Sequence, residues 1–194
     1  MNTRQSAAGE RRIPNALTIA GVDPSGGAGI LADVKAMSAL GAYGCAVIAA
    51  LTAQNTQGVT GISPVPPDFV GLQIDTLFTD VRIDAVKIGM LGQKPVIQVV
   101  AEKLAKWAPA HVVLDPVMVA KSGDLLLERE AVGAMREAML PQATLLTPNL
   151  PEAGVLLEER PVETVKEMRR VAERLRNKMA VSYTHLTLPT KRIV

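Results

Sequence analysis

Gln54, Asn55, Asp115, Asn149 and Glu152 stand just beyond short apolar runs, as do the pairs Gly21 with Asp23 and Gly89 with Met90. Carboxylates and amides gathered round one crevice suit magnesium, phosphate and a hydrogen-bonding organic ligand, because magnesium takes oxygen ligands and keeps several waters. Gln54 offers a donor and an acceptor side by side, the pattern that pairs with the edge of an amino-substituted ring nitrogen. Met90 offers a soft apolar face for a flat ring. The turn Gly21-Val22-Asp23-Pro24-Ser25-Gly26-Gly27-Ala28-Gly29 joins the apolar run Leu17-Thr18-Ile19-Ala20 to residues at helical spacing from Ile30. Strand, turn and helix start gather backbone N–H groups where the helix dipole is positive, a place for an anion or a polar ligand. Glycines at such a turn serve equally in α/β domains that bind nothing there, and each polar residue alone is equally a turn former.

These residues need a scaffold that brings strand ends together. Ile30, Leu31, Val34, Met37 and Leu40 mark one face of a first helix, which Gly41 stops. A continuous apolar run from Tyr43 to Leu51 reads as a buried strand, followed by a polar loop and a short strand or flap from Val59 to Val65. Pro67-Asp68 starts a helix carrying Phe69, Leu72, Leu77 and Phe78, and Ala85 to Ile88 is the next strand. Val96, Val99, Val100, Leu104 and Trp107 fall on one helical face. Val112 to Leu114 is a strand running into Asp115-Pro116. A helix over Glu128 to Leu140, a strand from Thr144 to Thr147, a helix start at Pro148 to Glu152 and a helix from Val162 to Met179 follow. Strand and helix alternate throughout, the signature of a parallel α/β sheet with right-handed crossovers. In such sheets ligands bind beyond the carboxyl ends of the strands, where the polar residues named above stand.

Composition narrows the chemistry. The chain has 194 residues, 48% of them hydrophobic and only 3% aromatic, which suits one domain with an aliphatic core. A formal charge of +2, with no basic patch interleaved with aromatics, argues against nucleic acid and against a membrane surface. No apolar run reaches membrane-spanning length and the first residues lack a signal peptide, so a cytoplasmic protein is expected. The single cysteine, Cys45, rules out an internal disulfide and sits in an apolar run as a structural thiol. His111 and Trp107 read as structural. No G-x-x-x-x-G-K-[ST] occurs, and the first turn lacks the G-x-G-x-x-G spacing, which disfavours a Walker site and a nicotinamide dehydrogenase. Asp33, early in the first helix, reads on spacing alone as a solvated carboxylate favoured by the helix dipole.

Several segments together carry a resemblance. Asn15-Ala16-Leu17-Thr18-Ile19-Ala20-Gly21, Asp23 to Gly29, Gly41-Ala42-Tyr43-Gly44, Ala53-Gln54-Asn55-Thr56, Lys87-Ile88-Gly89-Met90-Leu91 and Thr147-Pro148-Asn149-Leu150-Pro151-Glu152-Ala153 resemble the hydroxymethylpyrimidine/phosphomethylpyrimidine kinases of thiamine biosynthesis. The match runs from about Asn15 to Met179. It implies an α/β, ribokinase-like fold, a mostly parallel central sheet flanked by helices on both faces, usually in a homodimer. It implies phosphorylation of 4-amino-5-hydroxymethyl-2-methylpyrimidine and of its monophosphate, with ATP and Mg2+. By resemblance Gly21, Asp23, Ala28, Asp33, Gln54, Met90 and Val117 bind the substrate. Gln54 holds the aminopyrimidine edge, and Ala28, Met90 and Val117 line the ring. Asn149 and Glu152 match an N-x-x-E element that organises magnesium and phosphate. Asp115 faces the same phosphates with help from Lys121, and the metal is expected at Asp115 and Glu152 through water.

The resemblance stops after Met179, so the fold is expected to be incomplete at the C-terminus. Family members continue with a lysine- and glycine-bearing strand end and, later, a glycine-threonine-glycine anion hole with the residue that activates the hydroxyl. None of these follows here, so no catalytic residue is expected within the chain and turnover is expected to be absent or nearly so. The expected division is a disordered leader over 1–14, the N-terminal part of one kinase domain over 15–179, and an unrelated tail over 180–194. That tail reads as a junction or adapter translation. Two other readings stand beside the pyrimidine kinase: a pyridoxal, sugar or other small-molecule kinase of the same superfamily, and a non-catalytic pyrimidine-binding module.

Overall fold

The computed structural model of the chain describes residues 12–118, 127, 129–159, 165–179 and 183–186. They form a seven-stranded sheet in the order β3-β2-β1-β4-β5-β6-β7. The strands are β1 (Asn15–Val22), β2 (Tyr43–Gln54), β3 (Val59–Pro64), β4 (Ala85–Ile88), β5 (Val112–Leu114), β6 (Leu145–Leu146) and β7 (Tyr183–Thr184). Every pairing is parallel except that of β2 with β3, an antiparallel hairpin that puts β3 on one edge. The helices are α1 (Gly29–Ala39), α2 (Pro67–Asp80), α3 (Lys94–Trp107), α4 (Arg129–Ala134), α5 (Leu150–Leu157) and α6 (Val165–Met179).

The central strands are covered on both faces by helices. Leu17, Thr18 and Ile19 of β1 have no exposure, nor have Val86 and Ile88 of β4. Each fully buried Leu or Ile contributes about 2 kcal/mol through water released from its surface. Helix α3 turns Val96, Ile97, Val100, Ala101 and Leu104 inward, and its Trp107 stacks on Phe78 of α2 at 5.3 Å between centroids. The indole N–H donates to Asp75, which also accepts from Lys103 and Lys106, so these partners hold the Asp75 carboxyl well below the usual range. This cluster clamps α2 to α3 and accounts for Trp107. Cys45 is buried, which pushes its thiol up, as expected of a structural residue. His111 is exposed at the foot of β5.

One element departs from its expected form. The helix expected over Glu128 to Leu140 is regular only from Arg129 to Ala134. It widens into a π turn over Met135–Met139 and tightens into a 3-10 turn over Leu140–Gln142. Pro141 is the physical cause, because its ring has no N–H and would strike the carbonyl four residues earlier in a regular helix. The wider turn still buries Met135, Met139 and Leu140.

At the two ends of the chain, Pro14 is already tied to the sheet, its carbonyl accepting from the Tyr43 N–H at 2.8 Å. Residues 1–11 of the expected leader lie outside the described residues. Tyr183–Thr184, which fall within the stretch expected to be an unrelated tail, pair with Leu145–Leu146 of β6. Helix α6 buries Val171 and Leu175 on the way there.

Candidate functional site

The parallel order places the carboxyl ends of β2, β1, β4, β5 and β6 side by side, and with them Gln54, Gly21, Met90, Asp115 and Asn149. Gly21 and Met90 meet directly. A Cβ on Gly21 would lie 2.6 Å from the Met90 methyl, so a larger residue there would push the flexible end of Met90 off the end of β1. Gly29, at φ +58°, would drive a Cβ into the Gly21 carbonyl, which fixes how closely α1 starts against β1.

The first turn already holds an anion, and it is the chain's own. Asp23 is only 4% exposed, and its carboxylate accepts from the Ser25 N–H at 2.9 Å and the Ser25 hydroxyl at 2.8 Å. The amides of Gly27 and Ala28 bond the same carboxylate, and the Gly26 N–H bonds the Asp23 carbonyl at 2.9 Å. Burial alone would raise this carboxyl, but the donors outweigh it and hold it below its ordinary value. Asp23 therefore shapes the loop from within, while Ala28 is exposed at its rim.

Asp33 is not the solvated helical carboxylate that its spacing suggests. Its Oδ2 accepts from the Thr18 hydroxyl at 2.6 Å and from Lys87 Nζ at 2.9 Å. Thr18 and Lys87 are in register on β1 and β4, so they point to the same face of the sheet, under α1. The pair leaves Oδ1 without a partner among the described residues. Sequence reasoning did not place Lys87 and Thr18 beside Asp33. The available signal was a lysine and a threonine inside strand segments that are otherwise apolar on both faces.

Gln54 ends β2 half-buried, with Thr52 beside it. Thr52 Oγ1 lies 2.7 Å from the Val22 carbonyl oxygen and 3.2 Å from Gln54 Oε1. Asn55 serves the hairpin instead, its Oδ1 accepting from the N–H groups of Gln57 at 2.8 Å and Gly58 at 3.1 Å.

On the far side of β4, Asp115 follows β5. Burial pushes its carboxyl up to about 6. Lys87 and the Val117 N–H oppose that push, and Glu152 and Asp33 add to it. Val117 sits at φ +28°, a left-handed backbone that a β-branched residue takes only when neighbours impose it. Glu152 supplies one such neighbour. Its Oε1 accepts from the Met118 N–H at 3.0 Å and its Oε2 from the Asn149 N–H at 3.0 Å, while Asn149 Oδ1 accepts from the Glu152 N–H at 2.9 Å. The N-x-x-E element is thus a capping box that starts α5 and pins the segment after β5. Lys121 lies outside the described residues.

Among the described residues no three His, Cys, Asp or Glu side chains cluster as a ready metal site. The donor set nevertheless fits a water-rich cation. Glu152 is 3% exposed with both oxygens engaged by backbone, which suits contact through water, and Asp115 beside it retains acceptor capacity.

The family described as phosphomethylpyrimidine kinase matches residues 23–185. The hydroxymethylpyrimidine/phosphomethylpyrimidine kinase of Escherichia coli K12 is 58% identical over 154 residues, covering 79% of this chain and 58% of the relative. That of Salmonella typhimurium is 57% identical over the same shares. The chain therefore spans 58% of the length of these curated relatives. The solved phosphomethylpyrimidine kinase of Clostridium difficile 630 superposes with a TM-score of 0.83 at 40% identity, covering 89% of this chain and 74% of that one. Bacillus subtilis pyridoxal kinase, solved as an ADP complex, gives 0.83 at 33% identity, covering 91% and 67%. The architecture shared with these kinases is the ribokinase-like fold.

Proposed function

This chain belongs to the phosphomethylpyrimidine kinase family, and we propose that its strand-end crevice binds 4-amino-5-hydroxymethyl-2-methylpyrimidine and its monophosphate for phosphorylation by ATP in thiamine biosynthesis. The observation that carries this reading is the half-buried amide of Gln54 at the end of β2, on the same sheet edge as the Met90–Gly21 contact. Gln54 pairs with the amino-substituted ring edge. Met90 and Val117 line the ring, with Gly21 as its floor and Ala28 at its rim. Asp33, held from behind by Thr18 and Lys87, presents its free oxygen to the ligand.

The phosphates belong on the other side of β4. Asp115 and, through water, Glu152 would hold Mg2+, with Asn149 and Lys121 beside them. Bound there, the ion supplies neutralisation of charge on the transferring phosphate. The chain's own residues bind and orient; we assign no proton acceptor for the hydroxymethyl group among them.

The protein acts in the cytoplasm on a small molecule, with no nucleic acid partner, as a homodimer. Exposed apolar side chains such as Leu31 of α1, Leu51 of β2 and Ile62 of β3 are what a second copy would cover. No described helix is long and apolar enough to cross a membrane. Pyridoxal is the second reading, supported by the likeness to the Bacillus subtilis enzyme. Calorimetric titration with the pyrimidine and with pyridoxal separates the two. We expect the pyrimidine to bind more tightly and Gln54→Ala to weaken it about 100-fold, through loss of paired hydrogen bonds at a half-buried edge. Equal binding of the pyrimidine by Gln54→Ala, in a sample shown folded by circular dichroism, overturns the assignment.

A further inference from the structure

Thr52 stands between a backbone carbonyl and the Gln54 amide, and its hydroxyl has one proton to give. The Val22 carbonyl can only accept, and at 2.7 Å it is the closer partner, so the proton goes there. The Gln54 atom placed 3.2 Å away is Oε1, which could only accept the proton that the Val22 carbonyl already takes, so what Thr52 has left to offer is a lone pair and the amide must turn over to meet it. The two ends of a primary amide have the same shape, and hydrogen-bond chemistry decides which one faces a neighbour. A lone pair on Thr52 selects the NH2 end. Gln54 has no other side-chain partner among the described residues, so Thr52 alone sets the sense of the amide.

We propose that Thr52 is a specificity-determining residue: by directing the Gln54 NH2 group towards its own hydroxyl oxygen, it fixes the Gln54 carbonyl as the acceptor for the ligand's exocyclic group. This rests on the pyrimidine reading of the same site. The hydrogen bonds then close as a chain in which every donor has an acceptor. The ligand's 4-amino N–H donates to Gln54 Oε1. One Gln54 N–H donates to the neighbouring ring nitrogen and the other to Thr52 Oγ1, whose proton goes to the Val22 carbonyl. A 4-oxo pyrimidine presents the reverse pattern, an exocyclic acceptor beside a ring N–H. It pairs only if the amide turns over, which sets Gln54 Oε1 against the Thr52 lone pair. Thr52 therefore acts through Gln54, as a positioning residue, and selects an amino ring over an oxo ring of almost the same shape.

The test is the ratio of dissociation constants for 4-amino-5-hydroxymethyl-2-methylpyrimidine and its 4-oxo counterpart, by calorimetry on the full chain. The wild type is expected to favour the amino compound by about 100-fold, roughly the cost of leaving a half-buried hydrogen-bonding group mispaired. Thr52→Val, which keeps the shape and removes the lone pair, is expected to bring the ratio below about tenfold because the amide turns freely. Thr52→Ser restores the hydroxyl and is expected to restore the ratio. The ratio is internal to each folded sample, so a general loss of affinity does not imitate the effect, and Thr52→Ala serves the same comparison if Thr52→Val does not fold. An unchanged ratio in the variant lacking the hydroxyl overturns the role of Thr52 while leaving the pyrimidine site standing. No binding of the amino compound by the wild type overturns the pyrimidine reading and this inference with it.

Discussion

Asp23 and Asp115 each follow a strand beside β4, one after β1 and the other after β5, yet they are held in opposite ways. Asp23 lies almost fully out of water but is ringed by the N–H groups of Ser25, Gly27 and Ala28 and by a hydroxyl, so its charge is satisfied and its carboxyl is held below the ordinary value. Asp115 meets desolvation and two other carboxylates with the Val117 N–H and the Lys87 charge in opposition, so its carboxyl rises to about 6. Burial does not by itself say whether a carboxylate at a strand end is available for chemistry. The count of donors aimed at it does, and by that measure, among the described residues, the glycine-rich turn satisfies its own carboxylate while the β5 end leaves Asp115 under-compensated.

The contrast breaks most visibly at Asp23. Asp23→Ala leaves the inward-facing amides of the turn without an acceptor and is expected to cost about 2 kcal/mol at neutral pH, measured by denaturant unfolding. The sign with pH follows from a lowered folded value. The stabilisation is in place above the ordinary carboxyl value of 3.8 and is lost as pH falls through the lower folded value, so the gap between wild type and variant narrows in acid. A variant as stable as the wild type at pH 7 would show that the turn does not depend on its internal anion.

Asp115 sharpens the same comparison with a smaller effect of opposite sign. Its folded value is raised from 3.8 to about 6, so the fold favours the neutral acid. That favour is present below about pH 4 and is withdrawn as pH climbs to about 6. Asp115→Asn is expected to remove this fall and to leave the free protein on the order of 1 kcal/mol more stable at pH 7, since a buried, weakly compensated charge is gone. Unfolding curves collected from pH 4 to 7 check it, and parallel curves for the two proteins would contradict it.

The difference between these two regions also marks how far the sequence could be read. The parallel α/β order and the set of strand-end residues were legible because apolar runs and glycine-bearing turns alternate with little ambiguity, whereas Val59 to Val65 read only as a short strand or flap and its antiparallel pairing with β2 came from the structure. The surroundings of Asp33 were not legible from its spacing, since they depend on Thr18 and Lys87, residues distant in sequence that the register of β1 with β4 brings beneath α1. The internal use of Asp23 was hidden for a related reason. A glycine-rich turn advertises amides, but which anion they surround is decided by a side-chain rotation that spacing does not encode. Pro141 was visible, yet its effect was not, because a helix can end before a proline or widen to accommodate it, and the burial of Met135 and Met139 chose the second. Thr52 lay in plain view two residues before Gln54, and only the distance to Val22 gives its proton a destination.

In the function we propose, ligand recognition belongs to the crevice between Gln54 and Met90 and not to the amides of the first turn. A crystal structure of the chain with 4-amino-5-hydroxymethyl-2-methylpyrimidine tests it most directly. The ring is expected between Met90 and Val117, with its amino edge on Gln54 and the Asp23 carboxylate still bonded within its own loop. A ligand seated on the Ser25 to Ala28 amides with Asp23 displaced, or one that makes no contact with Gln54, would contradict the account.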